Sequence, residues 1–114
     1  MTKRFCLALD LKDDPRLIAE YEEHHRKVWP EIIQSIQKAG INSMEIYRAG
    51  NRLMMIIEAG EDFSFEKKAE ADVANAAVQE WEKLMWKYQQ PIPHAKMGEK
   101  WMLMDKIFTL PLDK

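Results

Sequence analysis

Tyr21, His25 and Trp29 stand four residues apart in the segment Tyr21-Glu22-Glu23-His24-His25-Arg26-Lys27-Val28-Trp29-Pro30-Glu31. At that spacing a phenol, an imidazole and an indole share one face of a helix. Leu17, Ile18, Val28, Ile32 and Ile36 accompany them at helical spacing, so the shared face is the apolar, inward one. An imidazole between aromatics on such a face can titrate in a pocket and move protons on small polar substrates near neutral pH. The same pattern also describes an ordinary core, in which the histidine is hydrogen-bonded and the aromatics only pack. Spacing leaves both open. His24 falls about 100° further round the helix, off the face that His25 occupies.

A second set of candidates lies in Glu80-Trp81-Glu82-Lys83-Leu84-Met85-Trp86-Lys87-Tyr88. Trp81 belongs to an apolar face with Val73, Ala77, Leu84 or Met85, and Tyr88. Glu82 is one step round and within reach of a pocket edge, although most glutamates so placed are simply solvated. A sugar suits this equipment. An indole stacks on its C–H face, while carboxylate, phenol and imidazole bind its hydroxyls. On a strand further back, Met44 and Ile46 share one face and Glu45 and Tyr47 the other. Glu58 and Asp105 are strand acids expected to be exposed.

Several chemistries lack their motifs: there is no glycine-rich phosphate loop, nucleophile elbow or His-Glu-x-x-His pattern. His24, His25 and His94 could meet around a metal only if the first helix and the loop after Pro93 converged. Neither a metal nor an organic cofactor is expected.

The elements that must position these residues read as β-α-β-β-α-β. Residues 3–11 alternate as a strand. Asp13-Asp14-Pro15 opens a helix, with Asp as cap and Pro at the first helical position. That helix runs to Lys38, stops at Ala39-Gly40, and carries a kink or short break before Pro30 with Trp29 at the bend. Residues 42–48 and 52–59 form a hairpin about Ala49-Gly50-Asn51. Residues 62–88 are helical, in one piece or two, and end at Pro91 and Pro93. A loop follows through Gly98, and residues 100–110 form the last strand. This is the ferredoxin-like α+β pattern, an antiparallel sheet with two helices on one face. Leu53, Met55 and Ile57 alternate with Met54 and Ile56, so both sheet faces are apolar. Two helices cover only one of them, and the other is expected to meet a second copy as a dimeric α+β barrel.

Composition narrows the field. At 114 residues the chain is one domain, residues 1–114. A net charge of -2 with scattered Lys and Glu gives no basic stripe, so nucleic acid is not an expected partner. Cys6 is the single cysteine, which removes an intramolecular disulfide and suggests a buried thiol in a reducing compartment. Acids follow the first apolar run too soon for a signal peptide, and no apolar stretch reaches membrane length, so a cytoplasmic protein is expected. The eight methionines and four tryptophans suit an adaptable core or an apolar pocket wall equally.

Tyr21-x3-His25-x3-Trp29-Pro30-Glu31 also resembles the L-rhamnose mutarotase family. So do Gly40 before Ser43-Met44-Glu45-Ile46-Tyr47, Gln79-Glu80-Trp81, and the closing Lys106-Ile107-Phe108-Thr109-Leu110. The likeness covers essentially the whole chain, and the Trp-Pro-Glu after Tyr-x3-His is its most specific part. It implies a dimeric barrel in the cytoplasm, no cofactor, and interconversion of the anomers of a 6-deoxy-hexose. It also implies that His25 is the catalytic acid, with sugar contacts from Tyr21 and Trp81. The rhamnose enzymes tend to carry tyrosine where Met44 stands and tryptophan where Glu82 stands. Both are sugar-facing positions in the family, which makes L-fucose a candidate substrate beside L-rhamnose. Trp29 and Trp81 would be apolar walls, His25 the proton donor to the ring oxygen, and Glu82, Glu45 or a water the acceptor of the anomeric proton. Two other functions fit the same barrel: a cofactor-independent or haem-degrading monooxygenase, and a non-catalytic small-molecule sensor.

Overall fold

The computed structural model describes residues 2–110. Its elements are β1 (Lys3–Leu11), α1 (Pro15–Arg26), α2 (Pro30–Lys38), β2 (Ile41–Ala49), β3 (Arg52–Ala59), α3 (Phe65–Val73), α4 (Ala76–Trp86), β4 (Gln89–Gln90) and β5 (Met102–Leu103). The sheet order is β2-β3-β1-β4, with β5 also on β1, and every pairing is antiparallel. This is the α+β, ferredoxin-like arrangement.

Each helical region divides in two, for local reasons. Pro30 has no N–H to give and disfavours helical geometry in the residue before it. Trp29 accordingly adopts φ -58, ψ 138, and α2 begins afresh at Pro30. Asp14 caps α1 by accepting from the Arg16 and Leu17 amides. Asn75 caps α4 in the same way, its Oδ1 accepting from Ala77 N at 3.0 Å and Val78 N at 3.3 Å. The new start at Asn75 breaks the helical phase, so Val73 is 75% exposed and Val78, not Val73 or Ala77, joins Trp81, Met85 and Tyr88 in the core.

The closing strand is much shorter than the expected 100–110. Leu103 opposes Leu7 and Met102 opposes Ala8. In that register β1 offers partners only as far as Ile107 opposite Lys3, so 108–110 could not join the sheet; the paired strand itself ends at Leu103, with one further bond from Met104 N to the Cys6 carbonyl at 2.8 Å. Ile107, Phe108 and Leu110 are exposed. Gln89–Gln90 leaves the helix and takes the same edge of β1, opposite Leu11 and Asp10.

On the face towards the helices lie Leu7, Met55 and Ile46 in one row and Ile57 and Met44 in the next. The opposite face carries Cys6, Met54 and Ile56, all half-buried, with Glu45 and Tyr47 exposed. A bulge at Asn42 lets Ile41, Met44 and Ile46 all point inward despite the odd spacing of the first two. Because α4 carries Trp81, its cap matters. Asn75→Ala should cost about 1 kcal/mol in chemical denaturation, and an unchanged midpoint would show that α3 and α4 are held in phase by packing alone.

Candidate active site

A cavity of about 370 Å³ opens between the inner sheet face and the helices. Tyr21 and His25 of α1, Met44 of β2, and Trp81 and Glu82 of α4 all line it, with Leu7, Met55 and Ile57 beneath. Trp29 does not. The break before Pro30 turns its indole onto the back of Trp81, edge to face at 5.0 Å, so it supports the wall rather than forming it.

His25 sits in the last turn of α1, and its ring folds back over the preceding turn. Its Nδ1 is 2.8 Å from the Tyr21 carbonyl oxygen. A carbonyl can only accept, so Nδ1 carries the hydrogen and Nε2 keeps a lone pair. The ring lies 4.3 Å from that of Tyr21 and 5.8 Å from that of Trp81. Burial lowers the pKa of His25 below the ordinary 6.5; the Tyr21 carbonyl pulls the other way, and the neighbouring His24 adds to the depression. The imidazole is therefore neutral at pH 7.

Tyr21 is 3% exposed, and its hydroxyl accepts from Gln89 Nε2 at 3.2 Å. Burial pushes its pKa up to about 12, so the phenol keeps its proton throughout the physiological range. Glu82 is ion-paired with Lys100 Nζ, whose side chain is 15% exposed. The carboxylate is thus charge-balanced, with Oε2 taken by the lysine.

His24 lies off the face of His25, as its angle on the helix predicts, but it is half-buried and hydrogen-bonded. Its Nε2 donates to the Tyr88 hydroxyl at 3.1 Å, and that hydroxyl donates to Glu20 Oε1 at 3.0 Å. Packing of α1 against α4 and β4 buries this side of the helix end too, but the array lies beside the cavity and not in it. Glu45 is exposed on the outer sheet face, away from the cavity, which removes it as a proton acceptor; Asp105 is exposed as well. Gln89, Lys100 and Trp101 line the cavity without having been singled out in the sequence. Their only signal is a polar residue beside an aromatic at a strand start, which many surface strands share. Among the described residues, no group of three or more His, Cys, Asp or Glu side chains is placed to hold a metal ion. None of the described helices is long and apolar enough to cross a membrane.

The fold and this cavity define an α+β protein of the ferredoxin-like barrel type. Tetracenomycin F2 cyclase from Streptomyces glaucescens shares that fold, with a TM-score of 0.57 and 18% identity over 96% of this chain and 99% of the other. L-Rhamnose mutarotase from Formosa agariphila superposes with a TM-score of 0.70 and 19% identity, over 95% of this chain and 98% of the other. An L-fucose mutarotase from Xanthomonas campestris pv. campestris is 46% identical over 110 residues, 95% of this chain and 88% of that protein. The L-rhamnose mutarotase family model matches residues 4–110. The chain belongs to the L-rhamnose mutarotase family, whose members are isomerases acting on carbohydrates.

The histidine environment has a consequence for stability. A histidine whose folded pKa lies below its unfolded value of 6.5 binds fewer protons folded than unfolded in between. Stability is then full above pH 6.5 and is lost as pH falls through that window. His25→Gln should flatten this part of the urea-denaturation profile, and a variant profile parallel to wild type would contradict the buried, neutral imidazole.

Proposed function

We propose that this chain is a mutarotase for 6-deoxy-L-hexoses, interconverting their α and β anomers, and that it turns over L-fucose at least as well as L-rhamnose. The carrying observation is His25: a neutral imidazole, fixed through Nδ1, whose free Nε2 belongs to a cavity walled by Trp81 and Tyr21.

Mutarotation opens the hemiacetal, lets C1 turn, and closes it again. In our reading Nε2 of His25 takes the proton of the anomeric hydroxyl as the C1–ring oxygen bond breaks and the C1 carbonyl forms. Burial makes the resulting imidazolium a stronger acid than usual, and it gives the same proton to the ring oxygen. After rotation about C1–C2 the steps run backwards on the other carbonyl face, so charge and protons balance without a redox agent or covalent intermediate. The phenol of Tyr21, held neutral, serves as a hydrogen-bond donor to the sugar. Trp81 offers its indole to the sugar's apolar edge, and Trp29 stiffens that indole from behind. A positioned acid–base group of this kind contributes roughly 10²–10⁴-fold.

The substrate preference rests on Met44 and Glu82, which line the cavity where the rhamnose enzymes tend to carry tyrosine and tryptophan. A carboxylate accepts hydroxyl hydrogen bonds, and a thioether leaves more room than a phenol. A site that pairs with a particular hydroxyl discriminates more strongly than one that only excludes bulk. We further read the outer sheet face, with Cys6, Met54 and Ile56 half-buried and Tyr47 exposed, as the surface on which two copies close a barrel. A cytoplasmic setting fits the free thiol of Cys6.

NMR saturation transfer between the α- and β-anomeric protons tests the assignment. Wild type should exchange L-fucose at least as fast as L-rhamnose, and His25→Ala should lose roughly 10²–10⁴-fold while staying folded. The rate should fall on acidification below pH 6.5, where the imidazole protonates. Met44→Tyr with Glu82→Trp should move the ratio towards rhamnose. A fully active His25→Ala would remove the mechanism, and a strong wild-type preference for rhamnose would remove the substrate reading. Light scattering at micromolar concentration should give a dimer, weakened by Ile56→Lys; a monomer would refute the barrel.

A further inference from the structure

Gln89 is a polar side chain in a place where the fold does not need one. It is 4% exposed, sits at the start of β4 opposite Leu11, and lines the same cavity as Tyr21 and His25. One end of its amide is occupied, since Nε2 donates to the Tyr21 hydroxyl at 3.2 Å. The other end is not. Oε1 is fully buried and has no hydrogen-bond partner among the described residues. Buried polar atoms are almost always paired, because an unpaired one has given up water for nothing. Turning the amide over would exchange acceptor for donor and still leave one end unpaired beside the cavity.

We propose that Gln89 is a sugar-binding residue, with Oε1 accepting a hydrogen bond from one ring hydroxyl of the 6-deoxyhexose. This rests on the mutarotase reading and deepens it. Gln89 and Tyr21 act as a unit. Because the phenol oxygen accepts from the amide, its own hydrogen is free to point elsewhere, and it stays protonated. The pair therefore offers one acceptor and one donor side by side, a pattern that two neighbouring hydroxyls can meet and an apolar molecule cannot. A substrate lacking the hydroxyl leaves Oε1 buried and unpaired. L-Fucose and L-rhamnose differ only in the orientation of ring hydroxyls, so a fixed acceptor of this kind contributes to the choice between them.

The test compares L-fucose with its singly deoxygenated analogues, removing one ring hydroxyl at a time, in wild type, Gln89→Met, Tyr21→Phe and the double variant. Dissociation constants come from calorimetry and exchange rates from NMR. In wild type, one analogue should bind about tenfold more weakly than L-fucose because Oε1 loses its donor. In Gln89→Met, which keeps the length of the side chain, that particular penalty should collapse towards unity, while the penalties at the other positions stay. Tyr21→Phe should keep the Gln89-dependent penalty, whereas a Gln89 that merely positions Tyr21 would give both single variants the same profile. If every penalty in Gln89→Met equals that in wild type, or if the two single variants match, the proposal is overturned although the mutarotase reading stands. If wild type neither binds nor exchanges a 6-deoxyhexose, both fall together.

Discussion

The packing of one indole decides the geometry of the site. Trp81 is 7% exposed, and its ring lies within 5.0 Å of Trp29, 5.8 Å of His25 and 6.5 Å of His24, ring centre to ring centre. Three chain segments meet there: the end of α1, the break before α2, and the middle of α4. A large flat side chain held on several sides has little rotamer freedom left, so it fixes the angle between α1 and α4 as well as its own. Trp29 backs the indole on the side away from the cavity, and Leu11 and Leu53 of the sheet belong to the same core cluster. Met44 and Met55, both half-buried, supply the adaptable surface across from it.

The electrostatics of the cavity follow from burial. His25 and Tyr21 are both held in their uncharged forms by desolvation, and Glu82 is neutralised by Lys100. Such a space holds no net charge to repel or trap a neutral sugar, yet it is rich in directional hydrogen-bond partners. It also keeps the two titratable groups apart in pKa, one ready to accept a proton near neutrality and the other reluctant to lose one. In the proposed mechanism that separation lets the imidazole exchange the proton without competition from the adjacent phenol.

Much of this was legible in the sequence, because the governing signals are local. Alternation gave the strands and their faces, proline gave the break at Trp29, and the Tyr21–His25 spacing brought two site residues to one helical face. Trp29 was misplaced for an instructive reason. Carrying the helical count past Arg26 to Trp29 assigned it to the cavity, whereas α1 has ended by then and the break turns the indole behind Trp81. His24 was placed off the inward face of the helix, and it does lie outside the cavity, but Trp81 and Tyr88 half-cover it there, which a single helix does not foretell. The start of β1 at Lys3 bars 108–110 from the sheet, a fact of pairing register that no window of residues carries. Gln89, Lys100 and Trp101 reach the cavity only through the third dimension. Met44 was singled out through resemblance alone, since a thioether does not announce a sugar, whereas the step from Trp81 to Glu82 already put a carboxylate at the pocket edge.

The extra residue at Asn42 also constrains how such a chain can change in length. Before it, Ile41 pairs with Ala59; after it, Ser43 pairs with Glu58, so the strand crosses from one phase to the other within two residues. Losing Asn42 would leave Ile41 opposite Ala59, Ser43 opposite Glu58 and Met44 opposite Ile57 as a regular ladder, with Met44 and Ile46 still facing the cavity, whereas losing Glu45 would turn every later residue of the strand to the other face. At the Gly50–Asn51 turn an insertion would merely enlarge a loop, because both strands are already in register by then. The bulge at the start of β2 is therefore a place where the chain can shed a residue without moving the cavity wall, while the frame of the strand beyond it cannot slip. Glycine at Gly40, where φ is +94, fixes the start of that frame by letting the chain turn sharply out of α2.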